Sequence, residues 1–300
     1  MNKLVSIICP FYNEKEALPI FYKRILKTLS NNKNYNFEII FVDNASKDGS
    51  LQIIKELINQ NFEQNIKIKI ISFTRNFGYQ KSLLAGYNFS IGEACIVIDT
   101  DLEDPPELIY DFLNKWNEGY DVVYGKRIDR NENFIIKKLR NLFYKILTLT
   151  ADYKLNYQMA EFCLISKKVR DMIVDINTTY TFFRSEIAFL GFKTFAIDYK
   201  RQNRAAGKTK YNILGMFQFA ITGFLTTSTF FLRFFAYSFF VILFVNFFYI
   251  LFFEKINILL FINFIYLFLN LSIISLYVAR IYQIMIKRPP YIINYKKSVL

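Results

Sequence analysis

The stretch Asp99-Thr100-Asp101-Leu102-Glu103-Asp104-Pro105-Pro106-Glu107 carries five carboxylates in nine residues, directly after an apolar run. In an extended chain the period of two places Asp99, Asp101 and Glu103 on one face. Carboxylates crowded in this way repel one another, and a hard divalent cation with oxygen ligands relieves the cost. Mg2+ or Mn2+ held there would bridge the two phosphates of a diphosphate ligand and neutralise charge as that group leaves. The competing reading is an acidic helix start, because Pro105-Pro106 opens a helix and acids favour its N-terminal end. That reading accounts for Asp104 and Glu107. It leaves Asp99 and Asp101 unexplained, since both close an apolar strand.

Other polar groups recur at the ends of apolar runs: Asn13 and Glu14, then Asp43, then Thr74-Arg75-Asn76. In an open parallel sheet, ligands bind beyond the carboxyl ends of the strands, so these groups converge on one site. The chain has no histidine. Ser-His-Asp and Cys-His nucleophiles, histidine bases and most zinc sites are therefore excluded. Cys9, Cys95 and Cys163 are far apart and read as small core hydrophobes in a reducing compartment. Chemistry must run on carboxylates, Arg and Lys, hydroxyls and an oxygen-bound cation.

The elements that must position these groups are legible in the first half. Strands are expected at Leu4–Pro10, Phe37–Asp43, Ile66–Ser72, Ala94–Asp99 and Asp121–Gly125. Helices are expected at about 14–31, 50–61 and 80–90, and another from Pro105. Short β-branched runs alternating with helical periods indicate an α/β, Rossmann-like, mostly parallel sheet covered on both faces. The pattern weakens from 126 to 210. No internal repeat is present, and no low-complexity linker beyond the Asn/Lys-rich Asn31–Asn36.

Charge and hydropathy place the rest. Of the 300 residues 53% are hydrophobic, and 34 Phe and 21 Tyr point to lipid contact. The formal charge is +13, but residues 200–300 hold twelve Lys and Arg against one acid, Glu254, so the first 199 are close to neutral. A nucleic-acid binder would carry its basic stripe on the folded domain. Here the excess flanks apolar segments, as at a membrane surface. Phe234–Phe253 and Ile256–Ala279 are uncharged runs long enough to cross a bilayer core, joined by Glu254-Lys255. Arg233 on one flank and Arg280, Lys287 and Arg288 on the other put both ends on the cytoplasmic side of an inner membrane, in a multi-pass topology. The stretch 212–229, broken by Gly215, Gln218, Thr222 and Gly223, reads as an interfacial segment. The expected order is a catalytic domain (1–211), that segment (212–229), two transmembrane helices (230–285) and a basic cytoplasmic tail (286–300).

Six motifs, in order, carry a resemblance to a known family. They are Pro10-Phe11-Tyr12-Asn13-Glu14, Val42-Asp43-Asn44-Ala45-Ser46-Lys47-Asp48-Gly49-Ser50 and Arg75-Asn76-Phe77-Gly78-Tyr79-Gln80, then the acidic run 99–107, Tyr124-Gly125-Lys126-Arg127, and Arg204-Ala205-Ala206-Gly207-Lys208-Thr209-Lys210-Tyr211. The chain resembles glycosyltransferase family 2, in the branch of dolichol-phosphate mannose synthases and bactoprenol glucosyltransferases. The resemblance covers about residues 5 to 211, and the hairpin matches the bactoprenol branch. It implies a GT-A fold and inverting transfer of a sugar from a nucleotide diphosphate to a polyprenyl phosphate. Pro10, Tyr12, Glu14, Asp43, Arg75 and Asp99 would line the nucleotide site, with Asp99, Asp101 and Glu103 at the metal-diphosphate. Arg127, Arg204, Thr209, Lys210 and Tyr211 would face phosphates. Related enzymes point to self-association into a homo-oligomer.

Three departures stand out. Asn44 replaces a common second Asp. Glu103 stands where the branch usually has Gln. Ala160-Glu161-Phe162-Cys163 stands where it usually reads Gly-Asp-Phe-Arg. Glu161 is then the candidate base or acceptor-orienting carboxylate, while Cys163 cannot replace an Arg-phosphate contact. A processive polysaccharide synthase is the nearest rival, but Trp116, the single tryptophan, lies outside any Gln-x-x-Arg-Trp pattern. The other rival is a non-catalytic membrane adaptor that keeps the nucleotide fold.

Overall fold

The computed structural model describes residues 2–60, 66–129, 134–155, 159–176, 182–206, 221–252 and 256–300. Strands β1 (Lys3–Phe11), β2 (Tyr35–Asp43), β3 (Ile66–Ser72) and β4 (Ala94–Val97) are parallel, with β1 central to the four. Burial on both faces is why β1, β2 and β4 read as largely apolar runs, whereas the edge strand β3 carries the exposed Lys67 and partly buried Lys69. Val5, Ile7 and Cys9 point to one face, where α1 (Leu18–Ser30), α2 (Ser50–Gln60) and α4 (Ile109–Asn117) supply Phe21, Ile25, Ile54 and Phe112. Ile8, Ile40, Val42 and Val97 point to the other, covered by Leu83 and Leu84 of α3 (Tyr79–Phe89). Each of these fully buried side chains contributes about 1.5–3 kcal/mol.

The second half closes the sheet in mixed fashion. Its elements are β5 (Val122–Asp129), α5 (Phe134–Thr150), β6 (Met159–Ser166), α6 (Lys167–Ile176), α7 (Phe183–Leu190) and β7 (Thr194–Lys200). The order is β3-β2-β1-β4-β6-β5-β7. β6 inserts antiparallel between β4 and β5, and β7 runs parallel to β5. This pairing extends β5 to Asp129, beyond the expected end at Gly125. The first helix starts at Leu18 and not near Glu14, because Pro19 occupies its first turn and Asn13 turns the chain at φ 54°.

Helices α8 (Phe230–Phe252) and α9 (Ile256–Met285) are long and apolar enough to cross a membrane, each with mean hydropathy 2.2. At 1.5 Å per residue α8 spans about 35 Å. Asn246 donates to Asn263 (3.1 Å) and the Tyr266 hydroxyl to the Phe235 carbonyl (2.9 Å), joining the two helices. At the root of the pair, Asp152 accepts from the backbone N–H of Thr229 (2.8 Å) and its hydroxyl (3.0 Å), and pairs with Arg233. The Tyr277 hydroxyl donates to the Ser228 carbonyl (2.9 Å) and Arg280 to Thr226 (3.0 Å). Within the expected interfacial segment, residues 221–227 are helical, while 212–220 lie outside the described residues, as does the Glu254-Lys255 turn. Residues 291–299 belong to the basic segment after α9. They return to the sheet and pair antiparallel with its β3 edge.

Candidate functional site

Three loops at the carboxyl end of the sheet are stitched together by short polar side chains. After β1, the Asn13 N–H donates to Ser46 Oγ (2.9 Å), while its Oδ1 accepts from the Lys47 N–H (2.7 Å). The Glu14 N–H donates to Ser50 Oγ (2.8 Å). Asp43, at the end of β2, is buried and accepts from the Ser46 N–H and the Ser72 hydroxyl, both at 2.8 Å. Asn44 donates to Asn76 Oδ1 (2.9 Å) and accepts from the Phe77 N–H (2.8 Å), so the amide at this position bridges the second and third loops. An Asp there could accept the second bond but not donate the first. Gly78, at φ 94°, takes the left-handed turn that starts α3. Arg75 is exposed and stacks on Phe77, 4.1 Å from the ring centre. Pro10 is buried within β1 opposite Val42, and Tyr12 is partly buried just beyond it.

The acidic run is a turn and not an extended strand. Leu102 adopts φ 62° and buries its side chain in the core, and the Glu103 N–H donates back to Asp101 Oδ1 (3.1 Å). Alternation therefore does not place Asp99, Asp101 and Glu103 on one face. Anchoring Leu102 in the core overrides it. Asp99 accepts from the Tyr79 hydroxyl (2.7 Å). Burial, with Asp101 and then Asp104 nearby, pushes the Asp99 carboxyl up to about 7. Glu103 pairs with Arg201. Asp104, 1% exposed, accepts from the Tyr199 hydroxyl and from Arg127 (3.1 Å), whose Nε also donates to Tyr199 (2.9 Å). Among the described residues no three Asp, Glu, Cys or His groups form a cation cage.

Arg204 joins the two halves of the site. Its Nη2 lies 3.1 Å from Glu14 and 3.3 Å from Asp101, and its buried Nε has no partner among the described residues. The Ala205 N–H donates to the Asp101 carbonyl (3.2 Å) and the Gln202 N–H to that of Glu103 (2.8 Å), so residues 202–205 lie along the acidic turn. Lys208, Thr209, Lys210 and Tyr211 lie outside the described residues.

On the opposite flank Glu161 accepts from Arg184 Nε (2.9 Å) and Gln80 Nε2 (3.3 Å), and Gln80 Oε1 in turn accepts from the Phe183 N–H (3.2 Å). Tyr79 links this cluster to Asp99: burial, then the charges of Asp99 and Glu161, hold its hydroxyl well above its ordinary pKa. Cys163 is buried two residues along β6 from Glu161, and burial, then the Glu161 charge, raises its thiol. The sequence reading missed Arg184 and Tyr79. Tyr79 sits inside a quoted motif, while nothing local marks Arg184, which is brought to Glu161 by the packing of α7 against α6 and α3.

The arrangement can hold an anionic ligand between carboxylates and guanidiniums beyond the strand ends. The family model described as "Glycosyl transferase family 2" matches residues 6–173. Among curated proteins, "Uncharacterized glycosyltransferase YkcC" of Bacillus subtilis is 38% identical over 226 residues, 74% of this chain and 68% of its own. A "Prophage bactoprenol glucosyl transferase homolog" of Escherichia coli is 36% identical over 234 residues, 78% of this chain and 75% of its own. "Putative glycosyltransferase CsbB" of Bacillus subtilis is 30% identical over 305 residues, 97% of this chain and 91% of its own, a span that takes in the helical hairpin.

Proposed function

Because this chain belongs to glycosyltransferase family 2, with its mixed, mostly parallel GT-A sheet, we propose that it transfers a sugar from a UDP- or GDP-sugar to a polyprenyl phosphate with inversion. The carrying observation is Arg204. It bridges Glu14 and Asp101 on the stretch of chain that leads into the apolar hairpin. A cationic group so placed meets a donor diphosphate on one side and a lipid phosphate on the other. The name of the Escherichia coli relative favours the same acceptor class.

In this reading Asp43 and the 75–77 loop hold the nucleoside, and residues 1–211 form the catalytic unit on the cytoplasmic face, with α8 and α9 spanning the bilayer. The acidic turn would offer a divalent cation two carboxylates, Asp99 and Asp101, with diphosphate oxygens and water completing its shell and Arg204 released from Asp101. The turn brings the buried Asp99 carboxyl close to Asp101, while Asp104 is paired with Arg127. Asp99 and Asp101 would hold Mg2+ or Mn2+, which when bound neutralises the departing diphosphate. Glu103 is committed to Arg201 and would contribute only by leaving it. The acceptor phosphate is already anionic, so positioning two mutually repelling anions is the main task of the protein. Arg204 presents the acceptor, and Glu161, fixed by Arg184 and Gln80, orients it. Arg127 is held by Asp104 and Tyr199 and braces the acidic turn from below.

The test incubates the purified full chain in lipid nanodiscs with undecaprenyl phosphate and a panel of labelled nucleotide sugars, with and without EDTA. One donor should yield chelator-sensitive labelled lipid. Label entering only a growing polysaccharide, or no lipid at all, overturns the acceptor assignment.

A further inference from the structure

β3 is an edge strand, and an open edge needs a cover. Residues 291–299 supply it, only a few residues after α9 ends at Met285. Ile70 and Val299 exchange both backbone hydrogen bonds (2.6 and 2.7 Å). The Asn294 N–H donates to the Ser72 carbonyl (2.7 Å), and the Ser72 N–H donates to Ser298 Oγ (3.0 Å), so the tail grips both backbone groups of Ser72. Beyond the strand end, the Thr74 N–H donates to the Ile292 carbonyl (3.0 Å). The ring of Tyr291 stacks on buried Phe73 at 5.2 Å and 18°, and its hydroxyl accepts from Asn88 (2.8 Å).

These grips fall on the residues that set up the nucleoside loops. The hydroxyl of Ser72 is one of two donors to Asp43 Oδ atoms, and the Phe73 N–H donates to the Asp43 carbonyl (3.0 Å). The Phe73 ring packs edge-on against Phe77 (5.7 Å), on whose face Arg75 lies. The chain from the tail to the site is therefore two contacts long along either route. An edge cover alone needs no contact past the end of the strand. This segment continues to Thr74 and Phe73.

We propose that residues 291–299 are a positioning strap for the donor site, holding Ser72 and Phe73 so that Asp43 and the 75–77 loop are set to receive a nucleoside diphosphate. The strap leaves the last membrane-type helix directly, so anchoring of the hairpin and the shape of the donor pocket are mechanically joined. Tyr291 and Ser298 act through Phe73 and Ser72 and touch no ligand. The inference rests on the donor-site reading above.

The test compares the full-length chain, its Tyr291→Ala/Ser298→Ala double variant and the conservative Tyr291→Phe, all in nanodiscs. UDP and GDP binding is measured by calorimetry, and amide exchange of residues 70–78 is followed without ligand. The double variant should weaken nucleotide binding and raise the donor KM about tenfold, with kcat at saturating donor and the acceptor KM within about twofold. Its 70–78 amides should exchange faster. Tyr291→Phe keeps the ring stack and should bind like the parent. Equal nucleotide affinity in parent and double variant, whatever happens to thermal stability, overturns the strap alone. A parent chain that binds neither nucleotide overturns the donor-site reading and the strap with it. Unchanged exchange at 70–78 in a double variant that binds weakly overturns the positioning route.

Discussion

Arg184 donates its Nε–H to Glu161 across 2.9 Å, with both side chains largely buried, at 20% and 12% exposure. The contact fixes the one carboxylate on β6 that faces the site. It also supplies a guanidinium next to Cys163, whose own side chain offers none. Glu161 is one methylene longer than an Asp, and its Oε1 meets a partner on α7.

Arg184→Leu should therefore release Glu161 and lower kcat/KM for the lipid acceptor about 100-fold, the scale on which a misplaced group is felt. Arg184→Lys should recover part of this, because an ammonium keeps the charge but not the planar fork. Steady-state kinetics against acceptor concentration reads both. Unaltered kcat/KM in Arg184→Leu would remove Glu161 from an orienting role.

Asp101 holds the acidic turn through the Glu103 N–H and meets Arg204 through its other oxygen. Asp101→Asn keeps an acceptor for the turn but removes the charge. Transfer should fall by at least about a thousandfold while the protein still folds and inserts. A radiolabel transfer assay beside a thermal melt separates the two effects. Near-normal turnover would show that the turn is structural.

Gly86 packs α3 against β1 with no room to spare: a Cβ there would sit 2.2 Å from Ile8 Cγ2. Gly86→Ala should destabilise the fold by about 1–3 kcal/mol through overpacking. Combined with Ile8→Ala, the loss should be smaller than the sum of the two single losses, since the two sites share one contact. Denaturant melts of the single and double variants check the coupling.

All three thiols are buried, and burial is the leading cause that raises each above its ordinary range. A thiol held protonated and out of solvent does not react. Ellman's reagent should therefore titrate no cysteine in the native chain at neutral pH and three after denaturation. Rapid native labelling would contradict the packing around them.

How much of this was legible follows from which forces act locally. β1, β2 and β4 are buried on both faces, so their apolar runs announce themselves, β3 shows as alternating β-branched residues, and the polar residues at the strand ends mark one edge. The acidic run was found by composition, but its turn was not, because burial of Leu102 depends on the assembled core. β6 reads as a strand only once β4 and β5 offer it two antiparallel neighbours, and its pairing with β4 across more than sixty residues is encoded by no local pattern. Arg184 and the docking of Tyr291 on Phe73 share that origin. Arg204 was legible because its motif is contiguous, although its partners Glu14 and Asp101 come from other parts of the chain.

Asp152 closes the question of how the hairpin is mounted. One carboxylate takes both polar groups of Thr229 and the guanidinium of Arg233, immediately after α5 ends. A swivel needs slack at its bearing, and here there is none. Any rotation of α8 about its first turn must therefore break these bonds or carry the end of α5 with it.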